Sequence, residues 1–405
     1  MNIAIITDSF PPMIDGVGRC AYAYTKALHE GGYGQCIAVA PKMPQVKDDY
    51  PFNVYSFRSL KFPYGDYRAG YPFMPSLIKK LKAMDIDILH AHSPFISMPI
   101  ANKLRRKLKV PIVFTQHTKW DYDLETALPL KPLRRIAEHY IHWSIGKADE
   151  VWAVSQGAGE HLNVRGYNGD FTVMPNGTDY EKCEPNPEMQ KRINERFDLP
   201  DGVPVLLFVG RMMWYKNIGM ILDTLELLKK TDFDFRMLFV GDGEHMDEIK
   251  DATTEKGLDD VVSFVGRIDD REELMSYYER ADLFLLMSIY DNAPVVVLEA
   301  AASACPALVL RGSATSEVIE DGVNGYHVGE DPGEAADAIR MIFSDLKRHE
   351  EVSRAAAEQV YIPWDRLMVR VVEGYERVID DYKKNQKEKK SRRKGKQELS
   401  SLVAD

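Results

Sequence analysis

Val205-Leu-Leu-Phe-Val-Gly210-Arg211-Met-Met-Trp-Tyr-Lys216-Asn217 passes from unbroken apolar residues through a glycine turn into an amphipathic segment over 218–229. A short, wholly apolar run fits a strand buried on both faces. The longer segment behind it, with its 3.6-residue period, fits a helix. The unit recurs downstream, with strands expected over 235–240, 261–265, 283–286 and 307–310 and helices over 246–256, 272–280 and 295–304. It also recurs upstream, with strands over 3–7, 36–40, 87–90, 112–116 and 150–154 and helices over 17–30, 73–82, 96–108 and 133–146. Strands that alternate with helices imply βαβ units and parallel sheets.

Pro175-Asn-Gly177, followed by Pro185, Pro187 and Pro200, breaks the alternation. The fold class expected is therefore α/β, with two doubly wound domains, one over 1–175 and one over 176–362. A long amphipathic helix follows over 364–384. Residues 383–405 hold almost no apolar side chains and read as a basic, disordered tail.

The chain has 405 residues, 45% of them hydrophobic and 28% charged, which excludes disulfide miniproteins, fibrous repeats and wholly disordered chains. Its four cysteines, Cys20, Cys36, Cys183 and Cys305, show no CxxC spacing and suit a reducing compartment. The start lacks the basic and apolar regions of a signal peptide, and the apolar run over 293–310 is interrupted by Glu299 and Pro306. The expected location is cytoplasmic, extended to a peripheral place on the inner face of the membrane.

The net charge of −10 is unevenly distributed. Residues 1–150 carry +6, residues 383–405 carry +6, and the stretch between carries −22. The segment over 55–84 mixes Arg58, Lys61, Arg68, Lys79, Lys80 and Lys82 with eight aromatic or Met side chains. That mixture suits an anionic leaflet, a nucleic acid, or a loop packed on its own domain. The acidic middle argues against nucleic acid. The cluster Lys103–Lys109 reads as the polar face of a helix.

Open α/β sheets place ligands at the carboxyl ends of their strands. There, Gly16 and Gly18 form a loop whose backbone N–H groups can approach a phosphate; a plain glycine turn would carry the same residues. Arg211 and Lys216 can clamp a diphosphate, the first as a fork and the second as a point charge. Asp291 precedes a helix and Glu299 lies inside it, so the two can hold sugar hydroxyls at opposite ends of one ligand. Alternatively, Asp291 is an N-cap and Glu299 a buried, paired acid. His117, at a strand end, can donate to a substrate oxygen or be a satisfied structural histidine. The pairs Asp85-x-Asp87 and Asp121-x-Asp123 are weak candidates for a divalent ion, and no metal is expected.

With these motifs in order, the chain resembles the retaining, group-1 (sequence family 4) glycosyltransferases of the GT-B fold. The motifs are Gly16-Val-Gly18-Arg19, Asp87-Ile-Leu-His-Ala-His92, Val173-Met-Pro-Asn176-Gly177, Gly210-Arg211…Lys216-Asn217, Val240-Gly-Asp-Gly243, Phe264-Val-Gly266, Asp291-x7-Glu299 and Glu317…Gly322-Val-Asn-Gly325. The resemblance implies two Rossmann-like domains facing across a cleft, with 1–175 as acceptor domain, 176–362 as donor domain and the helix over 363–382 crossing back to the first domain. It implies a nucleotide-diphosphate sugar as co-substrate and no cofactor. Arg211 and Lys216 would neutralise the leaving diphosphate. Glu299 would hold the ribose, and Asp291, with Asn292 and Ala293 beside it, would contact the donor sugar. Gly16 and Gly18 would approach the diphosphate, the backbone at Arg267–Ile268 would read the base, and His117 would lie near the sugar. Two residues depart from the pattern: Asp291 stands where a Glu is usual, and Asp15 where a Gly is usual. The functional expectation is hexose transfer to a membrane lipid or lipid-linked glycan. The alternatives are a non-catalytic nucleotide-sugar-binding protein or transfer to a soluble acceptor. A nicotinamide dehydrogenase is disfavoured because no GxGxxG follows the first strand.

Overall fold

The structure is a computed structural model that describes residues 1–13, 16–42, 50–61, 68–70, 75–118, 120, 124–125, 128, 130–180 and 186–402, with the backbone only at 60–61, 68–70, 390 and 393–402. The chain divides into two compact units: residues 1–175 with 364–405, and residues 176–363.

The first unit runs β1 (Ile3–Ile6), α1 (Gly16–Glu30), β2 (Cys36–Pro41), β3 (Asn53–Phe57), β4 (Ser59–Lys61), β5 (Arg68–Gly70), α2 (Pro75–Ala83), β6 (Ile88–Ala91), α3 (Ser97–Leu108), β7 (Ile112–Gln116), α4 (Lys131–Ile145), β8 (Glu150–Ala153), α5 (Gln156–Val164) and β9 (Thr172–Val173). Its main sheet has the order β3-β2-β1-β6-β7-β8-β9. Every pair in that sheet is parallel. β1, β6 and β7 are wholly buried, as their apolar runs require. The order reverses between β1 and β6, which makes that junction the unit's ligand-binding switch point.

The second unit runs α6 (Pro187–Phe197), β10 (Val205–Val209), α7 (Ile218–Lys229), β11 (Arg236–Val240), α8 (Met246–Glu255), β12 (Val262–Gly266), α9 (Arg271–Arg280), β13 (Leu283–Leu286), α10 (Val295–Ala302), β14 (Ala307–Leu310), β15 (Tyr326–Val328), α11 (Pro332–Ser344) and α12 (Leu346–Ala355). Its sheet order is β12-β11-β10-β13-β14-β15, with the reversal between β10 and β13. Both sheets are therefore of the Rossmann-like, doubly wound kind expected.

The final helix, α13 (Trp364–Leu402), belongs to the first unit. Tyr375 brings its hydroxyl within 2.6 Å of His90 Nδ1 and stacks on Trp152 at 5.3 Å. A Cβ on Gly374 would come within 2.7 Å of the Trp152 ring, so glycine admits the indole. Arg377 pairs with Glu150 at 2.6 Å, and Arg370 donates to the Val173 carbonyl at 2.8 Å.

Several expectations need correction. The basic segment expected to be disordered continues α13 as helix to Leu402. Lys, Arg, Glu and Gln are good helix formers, and low apolar content excludes burial rather than helicity. The proline-marked break contains α6, with Pro187 in its first turn and the Asn186 side chain accepting from Glu188 N and Met189 N. The short edge strands β3, β9 and β15 lacked a distinct apolar run. A third of the aromatic-basic segment, at 62–67 and 71–74, lies outside the described residues. Its described part buries Leu77 and Leu81 of α2 in the core and sets Lys80 over the Tyr55 ring at 5.4 Å. Cys183, Asp15, Asp121 and Asp123 lie outside the described residues. Asp87 accepts from Asn2 N at 2.8 Å, a structural use. Arg105, in the basic cluster of α3, pairs with Asp149 at 2.7 Å.

Candidate active site

The richest chemistry of the second unit lies at its switch point. After β10 the chain makes one 3-10 turn, Trp214–Lys216, and Asn217 takes a left-handed conformation, φ 59°, before α7. The Asn217 side chain donates to the Met287 carbonyl at 3.0 Å, which ties this loop to the one that follows β13. Beneath it, Gly241 has φ 134°, and a Cβ there would come within 1.9 Å of the Gly210 carbonyl oxygen. Only glycine permits that approach.

This scaffold presents two cations around one ring. Lys216 Nζ lies 5.6 Å and Arg211 Cζ 5.8 Å from the Tyr215 centroid, and Arg211 donates to the Tyr215 hydroxyl at 2.6 Å. Lys216 Nζ also bonds Asp291 Oδ1 at 2.5 Å, with both side chains mostly buried. Asp291 Oδ2 is buried without a hydrogen-bond partner. Asp291 is not the helix cap; Pro294 occupies that position in front of α10. Asn292 is buried, and the carbonyl of Ala293 accepts from Asn176 at 3.0 Å.

Glu299, on α10, is 5% exposed. It accepts from the Tyr278 hydroxyl at 2.9 Å and from Arg271 at 3.4 Å. Arg271 also pairs with Asp179 and lies 4.1 Å from the Tyr180 centroid. Burial, with Glu299 alongside, pushes the Tyr278 phenol well above its usual range, so it remains a donor. Arg271 and Tyr278 escaped the sequence reading because neither sits in a motif; α9 carries them to Glu299. Arg267 turns to Asp269 at 2.7 Å, and Ile268 packs against the unit's core, which leaves the backbone after Gly266 at the strand end. The carboxyl ends from β12 to β13 span three inter-strand steps, about 14 Å, the length of an extended nucleotide diphosphate.

In the first unit, Gly16 opens α1 with nothing within 4 Å of a Cβ placed on it, whereas a Cβ on Gly18 would come within 2.9 Å of Ser9. His117 follows β7, with Nε2 2.9 Å from His92 Nδ1. Burial holds both rings neutral, pushing His117 down to about 3 and His92 well below its usual value. Cys20, His92 and His117 bring ligand atoms within 4.8 Å of one another and are the group able to hold a metal ion among the described residues.

Asp8 was not singled out in the sequence. Its buried carboxylate accepts from Ser97 N at 2.6 Å, Ile96 N at 3.1 Å and the hydroxyls of Ser93 and Ser97. It thereby closes the start of α3, whose own Ile96 offers no side-chain cap. Asp8→Ala should destabilise the first unit by about 3 kcal/mol, since buried donors lose their acceptor. A urea-unfolding midpoint unchanged from wild type would contradict this.

Known proteins are similar to this chain in sequence and in fold. Residues 189–359 match the family described as Glycosyl transferases group 1, and residues 14–182 match Glycosyltransferase Family 4. The alpha-monoglucosyldiacylglycerol synthase of Streptococcus pneumoniae is 23% identical over 70% of this chain, and the match spans 65% of the synthase's own length. The GDP-mannose-dependent alpha-mannosyltransferase of Corynebacterium glutamicum is 24% identical over 94% of this chain and 89% of its own. Among solved structures, Anabaena HepE in complex with UDP superposes with a TM-score of 0.74 at 17% identity, covering 93% of this chain and all 100% of HepE.

Proposed function

The chain belongs to the group-1, family 4-type glycosyltransferases of the GT-B fold, and we propose that it is a retaining enzyme that moves a hexose from a nucleotide-diphosphate sugar to a membrane lipid or lipid-linked glycan. The observation that carries this reading is the pair of cations on Tyr215, with Lys216 held against Asp291 at the switch point of the second unit. Breaking the bond between anomeric carbon and phosphate oxygen leaves an electron-poor sugar and an anionic diphosphate. Arg211 and Lys216 stabilise the developing negative charge at fixed positions. Asp291 Oδ2, buried and unpartnered, accepts a hydroxyl of the donor sugar, and Glu299 accepts those of the ribose. On the same reading His117 would contact the sugar, and Gly16 and Gly18 the diphosphate. Retention follows from attack on the face the diphosphate leaves.

The two cations perform the charge neutralisation that other transferases assign to a metal, so the proposed enzyme is metal-independent. A lipid acceptor is supported by relatives whose names include monoglucosyldiacylglycerol and phosphatidylinositol monomannoside. The excess of positive charge on residues 1–150 supports docking on an anionic membrane surface. No helix among the described residues is long and apolar enough to cross a membrane. Nucleic acid is not a proposed partner, since the acidic second unit would repel it.

The test is nucleotide release from UDP-, GDP- and ADP-sugars, with and without anionic vesicles containing diacylglycerol or polyprenyl phosphate, in the presence of a chelator. Release from one donor, stimulated by vesicles and insensitive to chelation, is expected. No release from any donor, together with tight nucleotide binding, would favour a binding protein, and stimulation only by a soluble acceptor would exclude the lipid. Loss of release on chelation would overturn metal independence.

A further inference from the structure

Helix α4 buries Ile141, Ser144 and Ile145 and turns large apolar side chains outward. Leu133 is 48% exposed, Ile136 66%, Tyr140 48% and Trp143 52%. At about 100° per residue these four form one stripe along the helix. Tyr140 and Trp143 stack at 5.9 Å, and the Lys147 ammonium lies 5.0 Å from the Trp143 centroid. Isolated exposed apolar residues are ordinary, but a contiguous stripe on one element marks a contact surface.

The adjoining face of α4, which shares Trp143 with the stripe, borders an open cavity of about 670 Å³. Arg135, Glu138, His139, His142, Arg165 and Tyr167 line it. Two guanidinium groups outnumber the single carboxylate, and His142 Nε2 is buried without a hydrogen-bond partner. Arg135 and Arg165 both line this open cavity, and forked guanidinium donors suit a phosphodiester.

We propose that α4 docks on an anionic phospholipid leaflet, with the stripe from Leu133 to Trp143 entering the boundary between headgroups and acyl chains and the adjoining cavity binding the phosphodiester of one lipid. Aromatic side chains flanked by cations are the composition that this boundary favours. Lys131, Arg135 and Lys147 are exposed around the stripe. Pairing with a second copy across a two-fold axis would bring those charges against their own images, whereas a leaflet of opposite charge attracts them. The inference rests on the membrane-acceptor reading for its purpose, but vesicle binding is measured without donor turnover, so either can fail alone.

The experiment is flotation of the full chain with vesicles of phosphatidylcholine, of phosphatidylcholine with phosphatidylglycerol, and of phosphatidylcholine with oleate at equal surface charge. Binding to the phosphatidylglycerol vesicles is expected to exceed that to neutral vesicles by roughly tenfold or more and to exceed that to oleate vesicles. Ile136→Asp should abolish binding to all three. Arg135→Gln with Arg165→Gln should reduce phosphatidylglycerol binding to the oleate level. Nucleotide release from the donor, measured without vesicles, should be unchanged in these variants, which shows that they fold. Wild-type failure to float, flotation of Ile136→Asp at the wild-type level, or equal binding of phosphatidylglycerol and oleate would each overturn the proposal. So would a vesicle-free dimer that Ile136→Asp dissociates.

Discussion

Lys216→Ala is expected to lower turnover by ~10²–10³-fold, the cost of removing one prepositioned group that stabilises transition-state charge. The loss should fall on kcat more than on donor affinity, because the charge it meets is largest as the diphosphate departs. The substitution also leaves the mostly buried Asp291 without its 2.5 Å partner. A part of the loss could therefore come from a disturbed loop. The double variant Lys216→Ala, Asp291→Asn removes that stranded charge. It should recover the wild-type thermal midpoint while turnover stays low. Near-normal turnover in a folded Lys216→Ala protein would remove the leaving-group role. Full recovery of turnover in the double variant would assign the effect to the loop.

The second large effect is on stability in mild acid. His90, His92 and His117 lie at the carboxyl ends of β6 and β7, and burial drives all three below the usual histidine value. The two nitrogens of His90 are already engaged, by the Tyr375 hydroxyl and by Thr115 Oγ1, both at 2.6 Å. In the unfolded chain each ring takes up a proton near pH 6.5. The unfolded state then binds more protons than the folded one, so stability is fully present above about pH 6.5. It falls as pH drops toward the depressed folded values, about 3 for His117. Each ring contributes a slope of about 1.4 kcal/mol per pH unit once the unfolded chain is protonated. His117, with its folded value of about 3, removes about 2 kcal/mol between pH 7 and pH 5, and His90 and His92 act in the same direction. Urea-unfolding midpoints followed by tryptophan fluorescence should fall between about pH 6.5 and pH 5, and His117→Gln should flatten the slope. Midpoints independent of pH over that window would refute the assignment.

The architecture was legible because its signals are local. Five apolar residues before Gly210, a glycine turn and a 3.6-residue period each depend on neighbours within a few positions. The same locality put Arg211, Lys216, Asp291 and Glu299 at strand ends and helix starts, and the order of their motifs pointed to the family. Local signals also misled. The basic run after Lys383 lacks apolar residues, yet its helix formers carry α13 onward, and Pro187 opens a helix where it read as a break.

Partnerships across the sheets left no such signal. Lys216 and Asp291 are 75 positions apart, and His90 meets Tyr375 across 285. Arg271 reaches Glu299 because α9 and α10 pack together, and Asp8 caps α3 because β1 lies beside β6. The sequence marks a helix over 133–146 but not its open stripe, since periodicity reveals that a helix has an apolar face and not whether anything covers it. Strand, turn and helix follow from short-range sterics and from the period of apolar residues. Which charges pair, which rings lose their water and which apolar faces stay open follow from the order in which strands assemble, and that order brings distant segments together.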